Sequence, residues 1–96
     1  MANESQEAKD AGMLAVIVKR MQEQRLPRAL DLKDKVDQGG ILDDMDIDFL
    51  ELVFADTNQL KPLLARHPEY EDLAVRMMGL YRDITTKALE NEQGKA

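Results

Sequence analysis

The sequence contains no cysteine and no tryptophan, and its only aromatic residues are two phenylalanines and two tyrosines. The absence of cysteine excludes disulfide bonds, thiolate metal ligands and a cysteine nucleophile. Because aromatic side chains are scarce, aliphatic residues and the six methionines must form most of any core. We therefore expect a fold that is held together by ordinary apolar burial.

The chain also lacks a long apolar run. The longest, from Met13 to Val18, has six residues, whereas a membrane-spanning helix needs about 20. The N-terminal residues are polar and acidic, where a signal peptide would be basic and then apolar. We expect a cytoplasmic protein that makes no contact with a membrane.

Length and composition favour one small globular domain. The 96 residues suit a single domain, and the apolar fraction of 44% is close to the globular average. The net charge of −6 is uneven, because residues 19–35 sum to +3 and residues 41–60 sum to −6. The basic stretch has no interleaved aromatic residues, so it does not predict nucleic-acid binding. It is either a solvated face or the complement of the acidic stretch, within one chain or across a dimer.

Helix start and stop signals divide the first half of the chain. A first helix is predicted from a cap at Asn3 or Asp10 to about Arg25. We expect Leu26-Pro27 to break this helix and to begin a short second one. Gly39-Gly40 should end the second helix, because glycine adopts the left-handed conformation found after helix ends.

The third helix is predicted to begin at an aspartate cap, Asp43 or Asp44, and to run toward Pro62. Its apolar residues cover more than half of the helix circumference, so it should contact at least two neighbours. Met45 and Leu52 belong to this stripe, as Met13 belongs to that of the first helix. Pro62 predicts a kink, or a break in the preceding residues 56–59.

The last helix, from about Pro68 to Asn91, has the clearest periodicity in the chain. Its apolar residues occupy about 120° of a helical wheel, with a polar face opposite. The fold predicted is all-α: a small three- to four-helix bundle built on an antiparallel hairpin of helices 3 and 4. Residues 1–9 are expected to form a flexible acidic tail, 10–91 a single domain and 92–96 a frayed end.

Three polar features of the sequence are candidate sites. The spacing of Asp44, Asp46 and Asp48 resembles the start of a calcium loop, but Phe49 and Ala55 stand where that loop needs glycine and glutamate. The aspartates are therefore interpreted as a charged helix start. No catalytic constellation, metal site or cofactor site is predicted.

His67 is the only histidine. A phosphorylated histidine would stand in the middle of a helix, whereas Pro68 disfavours helical geometry at the preceding residue. Asp56 points into the apolar face of a continuous third helix, where it would need a partner such as an arginine. We favour a local helix break with Asp56 or Thr57 as the cap. His67 and Asp56 remain the possible polar anchors of a ligand site.

Four apolar residues are hard to bury in one copy, and they form the predicted interaction surface: Ile47, Phe54, Val75 and Met78. The function expected is that of a non-enzymatic interaction or regulatory protein that forms a homodimer or binds a protein partner. The alternative is a sensor-like bundle that binds a small ligand or a metal.

Overall fold

The computed structural model of the protein describes residues 2–94, and side chains from residue 8 onward. All regular structure in this range is helical, which confirms the all-α prediction. Three helices form the fold, because α1 (Ala2–Arg20), a π-helical turn (Met21–Arg25) and α2 (Leu26–Asp37) join without interruption into one N-terminal helix. The other two are α3 (Asp44–Leu64) and α4 (Glu71–Gly94), which follows a 3-10 turn (Pro68–Tyr70).

The break predicted at Leu26-Pro27 does not occur. A proline inside an α-helix lacks the N–H for its hydrogen bond, and its ring clashes with the carbonyl group four residues earlier. The wider π-helical turn lies directly before Pro27, and there Leu26 N–H donates to the carbonyl of Met21, five residues back. We attribute the continuity of α1 and α2 to this turn, which accommodates the proline without a corner.

The outer ends of the fold are helical further than expected. α1 begins at Ala2, ahead of both predicted caps, so the segment expected to be a tail is helical from that residue. α4 continues past Asn91 to Gly94. Met1, Lys95 and Ala96 lie outside the described residues, and the domain limits and the flexibility of both ends stay predictions.

Gly39-Gly40 end α2 as predicted, and they do so through a Schellman motif. Gly39 has a φ of 95°, and its N–H donates to the carbonyl of Val36 at 3.0 Å. Gly40 N–H donates to the carbonyl of Lys35 at 2.9 Å. Asn91 Nδ2 of α4 donates to the carbonyls of Val36 and Gly40, both at 2.8 Å, and so fastens α4 to this turn.

α3 begins at the predicted aspartate cap. The Asp43 carboxylate accepts a hydrogen bond from Asp46 N–H at 2.8 Å, and the Asp46 carboxylate accepts one from Asp43 N–H at 3.2 Å. This reciprocal capping box satisfies two backbone donors. Asp46 also pairs with Lys35, whose Nζ lies 2.6 Å from Oδ2.

The break predicted at residues 56–59 is wrong, because α3 is continuous from Asp44 to Leu64 with Pro62 inside it. Thr57 does not cap a helix; its hydroxyl donates to the carbonyl of Val53 one turn earlier, at 2.9 Å. Pro62 lies in the last turn of α3, where its missing N–H leaves the carbonyl of Asn58 without its helical donor but few residues of the helix remain to be displaced.

Ion pairs at three levels join the N-terminal helix to α3 and its end: Asp10 with Arg66, Arg20 and Arg25 with Asp56, and Lys35 with Asp46. Residue numbers rise along the N-terminal helix while they fall along α3, so the two run antiparallel. α4 contacts both α2 and α3. No helix among residues 2–94 has the apolar length that a membrane span requires.

Apolar side chains from all three helices form the core. The predicted inner and outer faces of α4 are confirmed, with Met77 and Ile84 fully buried and Gly79 and Asp83 exposed. Three residues predicted to pack inward are instead exposed: Met13 at 47%, Met45 at 71% and Leu52 at 49%. The buried apolar residues are Leu14, Ile17, Met21, Ala29, Leu32, Val36, Phe49, Leu50, Val53, Leu60, Leu63, Ala74, Met77, Leu80, Ile84 and Ala88.

Candidate interaction surface

Asp56 is a buried residue of a continuous helix, with only 5% of its surface exposed, rather than the cap we expected. Arg20 donates to both of its oxygens, from Nε to Oδ2 at 3.0 Å and from Nη2 to Oδ1 at 2.6 Å. Arg25 donates from Nε to Oδ2, also at 3.0 Å. The carboxylate is thus enclosed by two guanidinium groups, as a buried charge requires.

The π-helical turn explains how two arginines reach one carboxylate. Side chains five residues apart in a regular α-helix point about 140° away from each other. In a π-helical turn the hydrogen bond joins residues five apart, so these residues lie nearly above one another. Arg20 and Arg25 bracket that turn. From the sequence we favoured a helix break at Asp56 over a buried carboxylate with an arginine partner. The pair of Arg20 and Arg25 was missed, since Pro27 suggested a break instead of a wider turn.

His67 lies between α3 and the 3-10 turn with a φ of −136°, at a helix boundary as predicted. Its Nε2 is 3.2 Å from Oδ2 of Asp10, which is 2% exposed, and its Nδ1 is 3.6 Å from Oε1 of Glu69. Arg66 holds the same Asp10 carboxylate through Nε at 2.5 Å and Nη2 at 3.0 Å. This cluster fastens α1 to the connection between α3 and α4, and sequence reasoning missed Asp10 as its centre.

Both possible polar anchors therefore have partners within the chain. Asp56 pairs with two arginines of the N-terminal helix, and the His67 ring lies against the carboxylates of Asp10 and Glu69. Among the described residues, no group of three or more histidine, aspartate or glutamate side chains is placed to hold a metal ion. In the same part of the chain, every buried side-chain nitrogen and oxygen has a hydrogen-bond partner. The hydrogen bonds of both clusters connect the N-terminal helix to α3 and to the residues that follow it.

The four residues of the predicted interaction surface lie on α3 and α4. Ile47 is 45% exposed, Phe54 46% and Val75 64%, whereas Met78 is half-buried. The ring of Phe54 contacts that of Tyr81, with the centroids 5.8 Å apart and the planes tilted by 40°. We call the outward side of this helix pair the α3–α4 surface, and its apolar residues are Ile47, Phe54, Val75, Met78, Tyr81 and Leu89.

Two hollows between α3 and α4 lie on either side of the contact between Phe54 and Tyr81. The first is lined by Leu42, Ile47, Thr85, Ala88, Leu89 and Glu92. The second is lined by Thr57, Lys61, Leu64, Glu71, Ala74, Val75, Met78 and Arg82. Apolar side chains and hollows therefore extend over most of the length of the two helices.

The charged residues of α3 that have no ion-pair partner are segregated, with acids in the first half of the helix and a base near its end. Lys35 and the two arginines at Asp56 show that part of the acidic stretch finds its complement within the chain. Among the described side chains, the acids of the first half of α3 that have no ion-pair partner are Asp44, Asp48 and Glu51. At the second hollow, near the other end of the surface, two unpaired bases, Lys61 and Arg82, accompany one unpaired acid, Glu71.

A second exposed apolar strip lies between α1 and α3, and the sequence did not predict it. Met13 and Val16, 47% and 60% exposed, line a hollow with Gly12, Ile17, Arg20 and Gln59. Met45 and Leu52 are exposed on α3 as well. The apolar stripe of α3 is wider than its two neighbours can cover.

Comparisons with protein-family models, with curated proteins and with solved structures find no match to this chain.

Proposed function

We propose that the protein is a non-enzymatic interaction protein that associates with itself through the α3–α4 surface, where α3 and α4 form an antiparallel hairpin. The absence of cysteine suits a reducing cytoplasm as its location. A regulatory role would require that the dimer bind a further protein.

The observation that carries the proposal is that one copy leaves Ile47, Phe54, Val75 and Leu89 of the α3–α4 surface about half exposed. The chain's radius of gyration is 15.8 Å, whereas a compact domain of this length has about 12.5 Å. Its accessible surface is 6381 Å², against about 5600 Å² expected for its mass. The extents of 60 × 19 × 16 Å arise from the N-terminal helix, whose residues 2–37 span about 54 Å.

The α3–α4 surface has a suitable size and composition for an interface. Two helices side by side, about 30 Å long and about 20 Å wide, offer a footprint of about 600 Å², near the roughly 800 Å² per partner of a standard interface. Large apolar side chains that are about half exposed supply its centre, and charged residues lie along its edges. Burial of apolar surface would provide the driving force.

The alternative, a ligand- or metal-binding bundle anchored on Asp56 or His67, has no comparable support. Asp56 accepts three hydrogen bonds from arginines, and His67 faces the carboxylates of Asp10 and Glu69. A ligand would have to displace these partners.

Sedimentation equilibrium on a pair of matched variants tests the proposal. Val75 and Val16 are 64% and 60% exposed, and both are helical, but only Val75 lies on the α3–α4 surface. We expect the wild-type chain and Val16→Glu to be dimers at tens of micromolar, and Val75→Glu to be a monomer with unchanged helicity. A wild-type chain that stays monomeric at several hundred micromolar would overturn the proposal.

A further inference from the structure

We propose that the second copy lies antiparallel to the first on the α3–α4 surface, with α3 against α3 and Glu51 of each copy beside Lys61 of the other. This inference rests on the proposed function and specifies the orientation and the residues that select it. It follows from the order of charges and hollows along the two helices.

Glu51 and Lys61 are exposed, and neither has an ion-pair partner within the chain. They lie ten residues apart in α3, about 15 Å along its axis. On a helical wheel Glu51, Phe54 and Lys61 fall within about 80°, so all three belong to the same side of α3. One acid and one base therefore flank the central aromatic contact.

A two-fold dimer on this surface has two simple orientations, because the same patch must contact itself. With the axis along the helices, the acidic halves of both α3 helices come together, and Glu51 of one copy faces the acidic end of the other. With the axis across the helices, Glu51 faces Lys61 of the second copy, and the axis passes near residue 56. Like charges oppose the first orientation, and opposite charges favour the second.

The apolar residues agree with the axis across the helices. Ile47 and Leu89 line the hollow on one side of Phe54, and Val75 and Met78 line the hollow on the other side. Rotation about that axis places the first hollow of one copy over the second hollow of the other. Each copy then supplies apolar side chains to the hollow that faces it, while Phe54 of both copies lies close to the axis.

Charge reversal tests this orientation in the full chain at low salt. Glu51→Lys and Lys61→Glu each create a like-charge pair at both ends of the interface, and we expect either change to raise the dimer Kd by about tenfold or more. The double variant restores opposite charges and should return to within about threefold of the wild-type Kd. A mixture of the two single variants should form heterodimers, because each then pairs with its opposite.

Asp31→Lys is the matched control for Glu51→Lys, since Asp31 is exposed and unpaired on α2 and its charge changes in the same direction and by the same amount. We expect it to leave the dimer Kd within about twofold of the wild-type value. If both single reversals also stay within that range while Val75→Glu still abolishes the dimer, the orientation is overturned and the proposed function stands. If the wild-type chain forms no dimer, both are overturned.

Discussion

Arg25 and Asp56 are 31 residues apart in the sequence, and the Arg25 Nε lies 3.0 Å from the Asp56 Oδ2. The Arg25 side chain is 16% exposed and that of Asp56 is 7% exposed, so both charges are largely removed from water. A buried ion pair adds little compared with apolar residues of the same shape, but loss of one partner leaves an uncompensated charge. We therefore expect the contribution of this contact between the N-terminal helix and α3 to appear as a loss of stability when one partner is removed.

Replacement of Asp56 by asparagine should lower the free energy of unfolding by about 2–4 kcal/mol, because two guanidinium groups lose their carboxylate. Urea unfolding followed by circular dichroism measures the change. Asp48→Asn, at an exposed and unpaired position of the same helix, is the control and should stay within about 0.5 kcal/mol of the wild type. Equal effects at the two positions would show that the cluster at Asp56 does not stabilise the fold.

Deletion of Gln24, an exposed residue of the π-helical turn, should be tolerated when Pro27 is also replaced by alanine. One residue fewer turns the π-helical segment into ordinary α-helix and leaves Arg20 and Arg25 four apart on one face. We expect the free energy of unfolding to stay within about 1 kcal/mol of that of Pro27→Ala.

The control for this prediction is deletion of Gly79, an exposed residue in the middle of α4, in the same Pro27→Ala background. That deletion rotates Ala74 and Met77 by about 100° relative to Leu80 and Ile84, so it should cost more than about 3 kcal/mol or prevent folding. Loss of folding in the Gln24 deletion would contradict the role given to the π-helical turn.

The pair of Asp46 and Lys35 should make the stability depend on pH in the acid range. Burial alone would raise the pKa of Asp46, but hydrogen bonds from Lys35 and from Asp43 N–H, with the charge of Lys35, hold it below its usual value. A carboxylate with a lowered pKa stabilises the fold above its unfolded pKa of about 3.9, and that stability is lost as the pH falls through the folded pKa.

Urea unfolding between about pH 6 and pH 2.5 measures this contribution. Asp46→Asn and Lys35→Met should each flatten the decline in stability, because each removes the pair. A variant curve that runs parallel to that of the wild type would contradict the prediction.

Substitution by alanine should lower the stability at one glycine and raise it at another. Gly39 has a φ of 95°, so Gly39→Ala forces a side chain into the left-handed region and should cost about 1–2 kcal/mol. Gly79 is exposed inside α4, and a Cβ there meets nothing within 4 Å, so Gly79→Ala should add about 0.5–1 kcal/mol. Thermal unfolding should show one melting temperature falling and the other rising.

Local signals in the sequence predicted two helix ends, the start of α3 and the end of α2. Asp43 caps α3 and Gly39 ends α2 because capping and left-handed geometry depend on a few neighbouring residues. The buried face of α4 was predictable for the same reason, since its period is set within one helix. The continuity of the N-terminal helix was not predictable. A proline such as Pro27 is compatible both with the end of a helix and with a continuous helix that contains a π-helical turn.

Contacts between distant residues were harder to predict. Asp10 has charged partners 56 and 57 residues away, and its own neighbours in sequence give no sign of them. Asp56 pointed into an apolar face, which indicated either a partner or a helix break, and only the placement of α1 beside α3 decides between the two. The exposed strip with Val16 and Leu52 likewise depends on which flank of α3 its neighbours leave open.

The π-helical turn has a consequence for how chains of this kind change in length over evolution. A gain or loss of one residue in a regular helix rotates everything beyond it by about 100°, which turns the apolar stripe away from the core. Between Arg20 and Arg25 the fold already holds one residue more than a regular turn needs. Natural descendants that lack both this residue and Pro27 would keep both arginines on Asp56, so single-codon deletions should accumulate in this short interval.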